Sequence, residues 1–312
     1  MQNFKEILES VQSLKTNEFR ELKQKVRQRL LQDKVSYFIE TPFNKLKCPH
    51  CNSNNKIRWG MRNKLQRYKC KNCKKTFNSL TKTPLARLRM KDKWLDYSSC
   101  VMDELTIRKA AYKCNIHKST SFRWRHRFLK NSNQIKSKNL AGIIDIKHLY
   151  LKESFKGSRE IPKRKRRNIC IINSIDRNKN IYDLVDIKPN LKNINKKIKI
   201  IIRNNSILVT DRNKLYSSFC KTNNLKLKRH IYNLPSKTKV FKVDKAKEYN
   251  LNFSFWIDNQ FKGVASKYLK NYVSWYRGLN EFSEGIKPLT ILLRAKSIEK
   301  YKHQPLIRTL DF

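Results

Sequence analysis

Acidic residues are scarce in this sequence. Its 312 residues include 24 aspartates and glutamates against 72 lysines and arginines, which gives a formal net charge of +48. An AT-rich genome would enrich lysine, asparagine and isoleucine, but acidic codons are equally available to it, so the scarcity of acid needs another cause. A field of this size favours polyanions over small neutral molecules. We therefore expect a nucleic acid as the main partner.

Long apolar runs are also missing. No segment approaches the roughly 18 uninterrupted apolar residues of a membrane-spanning helix, and residues 1–15 lack the apolar core of a signal peptide. We therefore expect no membrane partner and a cytoplasmic protein associated with the nucleoid. The length is sufficient for about two domains with a sizeable core.

Half of the eight cysteines form two CxxC pairs. The paired residues are Cys48, Cys51, Cys70 and Cys73. A CxxC turn lets two sulfurs bind one ion, so two turns at this separation predict one tetrahedral, structural Zn²⁺ site. Two short strands, residues 56–59 and 66–69, flank a turn from Gly60 to Lys64 and complete a zinc ribbon over residues 43–80. The other cysteines are scattered singly, and we expect them to be small buried residues: Cys100, Cys114, Cys170 and Cys220.

Cations and aromatic residues dominate the predicted ribbon between its cysteine pairs. Arg58 and Arg67 are the candidate DNA contacts, with Trp59 and Tyr68 on the same surface. Such a surface suits phosphate. Two alternatives are a purely structural zinc site with no role in binding and an RNA-binding surface.

Helical periodicity is present on both sides of the ribbon. Apolar residues three or four apart predict two helices over residues 4–33, within an N-terminal region, residues 1–42, that packs beside the ribbon or against a second protomer. Residues 81–135 contain a candidate helix-turn-helix. Its first helix opens at Thr106, its turn is Cys114 to Ile116, and its second helix runs from Ser119 to Leu129.

Small hydroxyl residues and arginines line this second helix. A helix of this composition fits the major groove of DNA. The predicted DNA contacts are Ser119, Thr120, Arg123 and Arg125. Any two short helices with a polar turn can imitate the motif, and the arginines would then form a solvated face. The residues predicted to lie in the core are Phe122, Trp124 and Phe128.

From residue 142 the pattern becomes that of an α/β domain. Strands over residues 169–172 and 181–185 flank a turn and predict a hairpin, followed by a helix over residues 191–202 and a buried strand over residues 207–210. That strand ends on Asp211, where such sheets place functional residues. An earlier strand is predicted over residues 143–151, and the basic loop from Lys163 to Arg167 separates it from the hairpin. A later helix is predicted to end at Gly278.

Several motifs of the chain, taken together, point to one family. They are the ribbon, Thr76-Phe77-Asn78, Thr81-Lys82-Thr83-Pro84-Leu85, the segment from Ser119 to His126, the segment from Glu153 to Arg159, Val209-Thr210-Asp211 and the segment from Gly263 to Leu269. The chain resembles the zinc-ribbon insertion-sequence transposases, whose catalytic domain has the ribonuclease H-like fold of the DDE class. The resemblance covers nearly the whole chain.

The resemblance implies a multidomain protein that cuts and rejoins the ends of its own mobile element. A ribonuclease H-like α/β domain would occupy residues 140–285, followed by a tail, residues 286–312. Acidic residues of this domain would hold two catalytic Mg²⁺ ions. The partners would be double-stranded DNA, as terminal repeats and as target, with a homo-oligomer assembled on it. The implied catalytic residues are Asp145, Asp211 and Asn252.

The chain departs from the family at the first catalytic position. Relatives read G-I-V-E-x-D-E-x-Y there, and this alignment places Lys147 on the catalytic aspartate. A lysine about 4 Å from a divalent ion would cost on the order of 8 kcal/mol at an effective dielectric constant of about 20. Asp145 could replace the aspartate only in a shifted register. Two functions follow: a transposase with degenerate catalysis, or a catalytically inactive DNA-binding protein derived from one.

Overall fold

A computed structural model of the protein describes residues 4–130, 139–158, 160–187, 189–210, 214–229, 244–281 and 288–296. The helices of this part are α1 (Phe4–Gln12), α2 (Thr16–Ile39), α3 (Trp94–Met102), α4 (Ile107–Lys113), α5 (Lys118–Leu129), α6 (Leu191–Lys197), α7 (Lys214–Thr222), α8 (Lys245–Phe261), α9 (Ser266–Glu281) and α10 (Pro288–Lys296). The strands are β1 (Lys56–Arg62), β2 (Leu65–Cys70), β3 (Thr76–Phe77), β4 (Ile143–Lys152), β5 (Asn168–Asp176), β6 (Ile181–Asp186), β7 (Ile207–Thr210) and β8 (Lys226–Arg229). None of these helices is both long and apolar enough to cross a membrane.

The first sheet is a ribbon of β1, β2 and β3, in that order and with antiparallel neighbours. It confirms the two strands predicted between the cysteine pairs. Their turn is shorter than the predicted segment from Gly60 to Lys64, because Asn63 and Lys64 alone separate the strands, with φ angles of 51° and 57°. Two successive residues with positive φ give a type I′ turn, whose twist matches that of a hairpin.

The second sheet has five strands in the order β6-β5-β4-β7-β8. Strands β4 and β6 are antiparallel to β5, whereas β7 is parallel to both β4 and β8. The predicted hairpin is confirmed by β5 and β6, and the predicted strand over residues 207–210 by β7. Periodicity does not predict β8, whose sequence Lys-Leu-Lys-Arg contains one apolar residue.

Helices cover both faces of the five-stranded sheet. On one face, Ile144 and Ile146 of β4 pack in a core with Phe219 of α7. Because side chains alternate along a strand, Asp145 and Lys147 lie on the opposite face, against which α8 packs. Strand β5 is buried on both sides from Ile169 to Asp176, as expected for a strand covered on both faces.

Helices α3, α4 and α5 share their core with the C-terminal helices. Trp124 and Phe128 of α5 are buried, as predicted, in one cluster with Trp275 of α9 and Ile291 of α10. The prediction that Phe122 lies in the core is wrong, since its side chain is 40% exposed. The helix-turn-helix region is therefore completed by residues far along the chain.

The N-terminal helices are confirmed, and α2 continues to Ile39 rather than to residue 33. Its last turns bury Val35 and Ile39 in the core of α3 and α5. The N–H of Gln66 in the ribbon donates a hydrogen bond to Oε1 of Glu40 over 2.8 Å. The end of this region therefore lies beside the ribbon.

The C-terminal part differs from the prediction in two places. Helix α9 does not stop at Gly278 but continues to Glu281, because Leu279 packs against the core. This contact outweighs the ~1 kcal/mol that glycine costs within a helix. The segment predicted as a tail contains α10, which packs on α3 and α5.

Candidate metal centre and nucleic-acid interface

The four cysteines of the ribbon meet at one point. Their Sγ atoms all lie within 4.8 Å of one another, with 3.6 Å from Cys48 to Cys73 and 3.6 Å from Cys51 to Cys70. A tetrahedral zinc ion with Zn–S bonds of about 2.3 Å requires sulfurs about 3.8 Å apart. The cluster could therefore hold a metal ion such as zinc.

The two CxxC turns are built alike. The residue after each turn, Asn52 and Lys74, has a φ of 59° and 57°. In each turn the N–H of the first cysteine donates to the carbonyl five residues later, over 2.9 Å from Cys48 and 3.0 Å from Cys70. The backbone N–H of Cys73 lowers the pKa of the Cys70 thiol to about 6, although burial opposes the shift. The backbone thus favours the thiolate that binds metal.

The ribbon surface carries exposed aromatic residues among its cations, of which Trp59 lies between the cysteine pairs. Trp59 is 44% exposed, and the Lys69 ammonium lies 4.3 Å above its ring. Arg58 is exposed and Arg67 half-buried, so both predicted contacts can reach a partner. The prediction for Tyr68 is wrong, because its ring is buried in the core of the ribbon.

The two helices predicted for this region are present as α4 and α5, with a short turn between them. Thr106 caps α4 by accepting a hydrogen bond from the N–H of Lys109, and His117 caps α5 by accepting one from the N–H of Ser119. Asn115 in the turn has a φ of 47°. Helix α5 begins one residue earlier than predicted.

One side of α5 is open to a partner, and the side that carries Arg125 is not. Ser119 and Arg123 are exposed and Thr120 is half-buried. Arg125 is fully buried, donates to the carbonyl of Leu105 and lies 4.8 Å from the ring of Trp275. Its helical position faces the core, so the structure removes Arg125 from the predicted DNA contacts.

An ion pair fixes Asp145 on the α8 face of the large sheet. The Arg177 guanidinium donates to both carboxylate oxygens of Asp145, over 2.6 and 3.2 Å. The backbone N–H of Lys245, at the start of α8, donates a third hydrogen bond over 3.3 Å. The register from Ile144 to Lys152 is unbroken, so Asp145 is not shifted into the position of Lys147.

Lys147 forms a second buried ion pair on this face. Its ammonium lies 3.0 Å from Oδ2 of Asp244, and both side chains are more than nine-tenths buried. Asp244 also caps α8 by accepting a hydrogen bond from the N–H of Lys247 over 2.9 Å. The lysine thus binds the carboxylate that starts the helix.

A polar row continues from Lys147 across the sheet. Asn173 of β5 pairs with Lys147, and Asp183 of β6 pairs with Asn173. Asp183 lies 3.8 Å from the guanidinium of Arg277, in a buried ion pair. The side-chain amide of Asn173 donates to Oδ1 of Asn250 in α8. The sequence analysis did not predict a role for Asp183, Arg177, Asp244 or Arg277. Asp183 could have been noticed, because an acidic residue between the apolar residues of a predicted strand is unusual.

The predicted catalytic residues are only partly brought together. Asn250, which lies in the sequence region of the third position, is buried against the sheet. Asn252 is exposed and lines a shallow groove with Phe255, so α8 carries it away from Asp145. Asp211 lies outside the described residues. The residue before it, Thr210, ends β7 opposite Ile146.

The described residues of this face do not by themselves fit a pair of divalent cations. Its described carboxylates, those of Asp145, Asp183 and Asp244, are each paired with a lysine or arginine. A metal ion would have to displace these cations or lie beside them, which Coulomb repulsion opposes.

Glu153 restrains the predicted basic loop. Arg164 and Arg167 donate to its buried carboxylate over 2.7 and 2.9 Å. These two guanidinium groups hold the pKa of Glu153 well below its usual range. Lys163, Lys165 and Arg166 remain exposed. The loop therefore keeps a basic surface on an anchored backbone.

Comparison with known proteins gives one sequence match. The chain is 29% identical over 126 residues to an uncharacterized protein in transposable element ISH50 of Halobacterium salinarum, which covers 39% of this chain and 42% of that protein. It thus spans less than half the length of this relative. No protein-family model matches the chain.

Several solved structures also match, among them two with low TM-scores. One is a chain of the simian T-cell lymphotropic virus intasome in complex with PP2A regulatory subunit B56 gamma, with a TM-score of 0.31 and 10% identity over 46% of this chain and 51% of that chain. The other is the Mos1 transposase paired-end complex with the left transposon end, with a TM-score of 0.21 and 13% identity over 60% and 75%. The sequence match therefore carries the link to a transposable element.

Proposed function

We propose that this protein is a transposase by descent that binds the ends of its own insertion sequence and has lost most or all of its catalytic activity. The DNA-binding part of the proposal rests on the exposed side of α5. Ser119 and Arg123 are exposed there, and His117 caps the N-terminus of the helix. The similarity to a transposable-element protein supports the same origin.

In the proposed complex, α5 lies in the major groove and the ribbon follows the phosphate backbone. Arg123 is long enough to reach a base edge, and Ser119 and Thr120 are near the helix start, where base contacts are made. Arg58 and Arg67 on the ribbon would bind phosphate. The exposed cations of the loop from Lys163 to Arg166 would add contacts without sequence preference.

The domain over residues 140–285 is proposed to have the ribonuclease H-like fold. The support is a mixed five-stranded sheet, in which β5 and β6 form an antiparallel hairpin on one side of β4 and the parallel strands β7 and β8 lie on the other. Helices cover both faces. In this proposal Lys147, Asp211 and an asparagine of α8 occupy the positions of the catalytic set, and Asp145 lies two residues before the first of them.

Catalysis is proposed to be degenerate because Lys147 supplies a fixed cation where the family has an anionic ligand. Its ion pair with Asp244, and that of Arg177 with Asp145, already neutralise the nearby carboxylates. These contacts favour the second candidate, a catalytically inactive DNA-binding protein, over a fully active transposase. A structural Zn²⁺ in the ribbon is part of both candidates, as is a homo-oligomer assembled on DNA.

Fluorescence anisotropy with labelled duplexes tests the binding proposal. Terminal-repeat DNA and a random duplex of equal length and base composition would be titrated at several salt concentrations. We expect terminal-repeat DNA to bind roughly 10³-fold more tightly and both affinities to fall steeply with salt. Equal affinity for the two duplexes would contradict the proposal.

A nicking assay separates the two candidates. Supercoiled plasmid carrying the terminal repeats would be incubated with the protein in the presence of Mg²⁺ or Mn²⁺. We expect no nicking above that of the Asp211→Ala variant. Robust nicking that disappears in Asp211→Ala would instead establish an active enzyme in which Asp145 has replaced the missing ligand.

A further inference from the structure

Cys100 and Cys114 form a pair that the sequence did not predict. Both are buried, as predicted, but they are not isolated, because the fold places their Sγ atoms 3.5 Å apart. Cys100 is on α3, and Cys114 caps the end of α4, at the start of the helix-turn-helix turn. Fourteen positions separate the two cysteines in sequence, so the contact joins two elements rather than two neighbours.

A buried cation lies close to this thiol pair. Arg125 is completely buried, and its Nε and Nη1 atoms have no hydrogen-bond partner among the described residues. A buried guanidinium of this kind stabilises a nearby anion. A hydrogen bond from Cys114, together with the charges of Lys113 and Arg125, lowers the pKa of the Cys100 thiol, although burial opposes the shift.

We propose that Cys100 and Cys114 are a redox-active dithiol that hydrogen peroxide converts to a disulfide between α3 and the helix-turn-helix turn. The Cys100 thiolate attacks one peroxide oxygen and breaks the O–O bond, which gives a sulfenic acid and hydroxide. The Cys114 sulfur then attacks the Cys100 sulfur and displaces the sulfenic oxygen, which leaves as water with the thiol proton. In total, two thiols and one peroxide give one disulfide and two waters.

The disulfide would displace the turn that leads into α5. The two sulfurs must approach from 3.5 Å to about 2.05 Å. Cys114 is three residues before His117, the N-cap of α5, so its movement is transmitted to Ser119 and Arg123. This displacement weakens specific DNA binding, a consequence that rests on the proposed function.

Peptide mapping tests the dithiol without using DNA. The folded protein would be treated with hydrogen peroxide at doses that leave its zinc content unchanged, then alkylated and digested. We expect a Cys100–Cys114 cross-linked peptide about 2 Da lighter than its reduced parts. The cross-link should be absent in Cys114→Ala and in Cys100→Ser, and should persist in Cys220→Ala. Free, alkylatable Cys100 and Cys114 after this treatment would overturn the proposal.

Anisotropy titration of reduced and oxidised protein tests the consequence. We expect oxidation to weaken binding to terminal-repeat DNA by roughly tenfold or more, as for the loss of one or two base contacts. Cys114→Ala should bind equally well before and after peroxide. An unchanged affinity of the cross-linked wild type would overturn the regulatory role. A cross-link in a protein whose reduced form has no specific affinity would contradict the proposed function while supporting the dithiol.

Discussion

The ammonium group of Lys147 lies 3.0 Å from the carboxylate of Asp244, with both side chains almost entirely buried. An ion pair at this depth contributes little net stability, but removing one partner leaves an uncompensated charge and costs about 3–5 kcal/mol. Lys147, the position at which the resemblance described above implies an anionic ligand, is therefore a buried cation in an ion pair.

The first prediction concerns Lys147→Asp. This change would bring a second carboxylate close to Asp244, so we expect a lower melting temperature without metal and a large recovery with millimolar Mg²⁺, which binds the folded state alone. Lys147→Met is the matched control, since it removes the ion pair without adding a ligand. Thermal unfolding with and without MgCl₂ measures the difference. An identical Mg²⁺ response of the two variants would show that no cation site is formed.

The second prediction contrasts two arginines of one helix. Arg123→Ala should weaken binding to terminal-repeat DNA by about 1–3 kcal/mol and leave the free energy of unfolding nearly unchanged. Arg125→Ala should lower the free energy of unfolding, because Arg125 packs on Trp275 in the core. Anisotropy titration and urea denaturation measure the two effects. A specific loss of binding by a fully stable Arg125→Ala variant would contradict its assignment to the core.

The third prediction concerns the metal content of the ribbon. Protein purified without chelator should contain about one zinc per chain, and Cys70→Ser should lose it because three thiolates remain. The ribbon of the variant should unfold and specific DNA binding should disappear. Cys220→Ser, which changes a cysteine outside the cluster, is the control and should keep its zinc. Elemental analysis that finds no zinc in the wild type would refute the assignment.

The fourth prediction concerns pH and Glu153. Because Arg164 and Arg167 depress the pKa of this carboxyl group in the folded state, its stabilising effect is present above the ordinary carboxyl pKa and is lost as the pH falls through the folded-state value. Glu153→Gln should reduce stability at neutral pH by on the order of 2 kcal/mol, since the arginine ends are partly exposed and screened. The difference from the wild type should shrink below about pH 4. Urea denaturation at several pH values tests this, and a constant difference down to pH 3 would be inconsistent with it.

Local patterns predict most elements of the structure. The spacing of the cysteines predicts the ribbon, and apolar periodicity predicts α2, α5, the β5–β6 hairpin and β7, because these signals depend on residues close in sequence. The same patterns do not predict β8. Its backbone pairs with β7, while its cationic side chains give no apolar alternation.

The burial of individual site residues and the partners in their ion pairs could not be predicted from the sequence, because both depend on contacts between residues far apart in the chain. The surface position of Arg123 and the burial of Arg125 depend on α9, more than a hundred residues away. The partner of Lys147 is Asp244, and the partner of Asp145 is Arg177. The sequence does not show which of its many lysines and arginines pairs with a given aspartate. These ion pairs form only when α8 packs against the sheet.

The position of α10 has a consequence for synthesis of the protein on the ribosome. Its residues Ile291, Leu292 and Ala295 complete the core around α3 and α5, so α5 lacks part of its support until residue 296 has been translated and has left the exit tunnel. A nascent chain, or a fragment that stops after residue 281, is expected to expose Trp94 and Trp124 to solvent. Limited proteolysis should cleave such a fragment between residues 94 and 129 faster than the full chain. Under the proposed function, chains that lack α10 would then bind element ends poorly. Incomplete translation products would therefore not compete with the full chain for these sites.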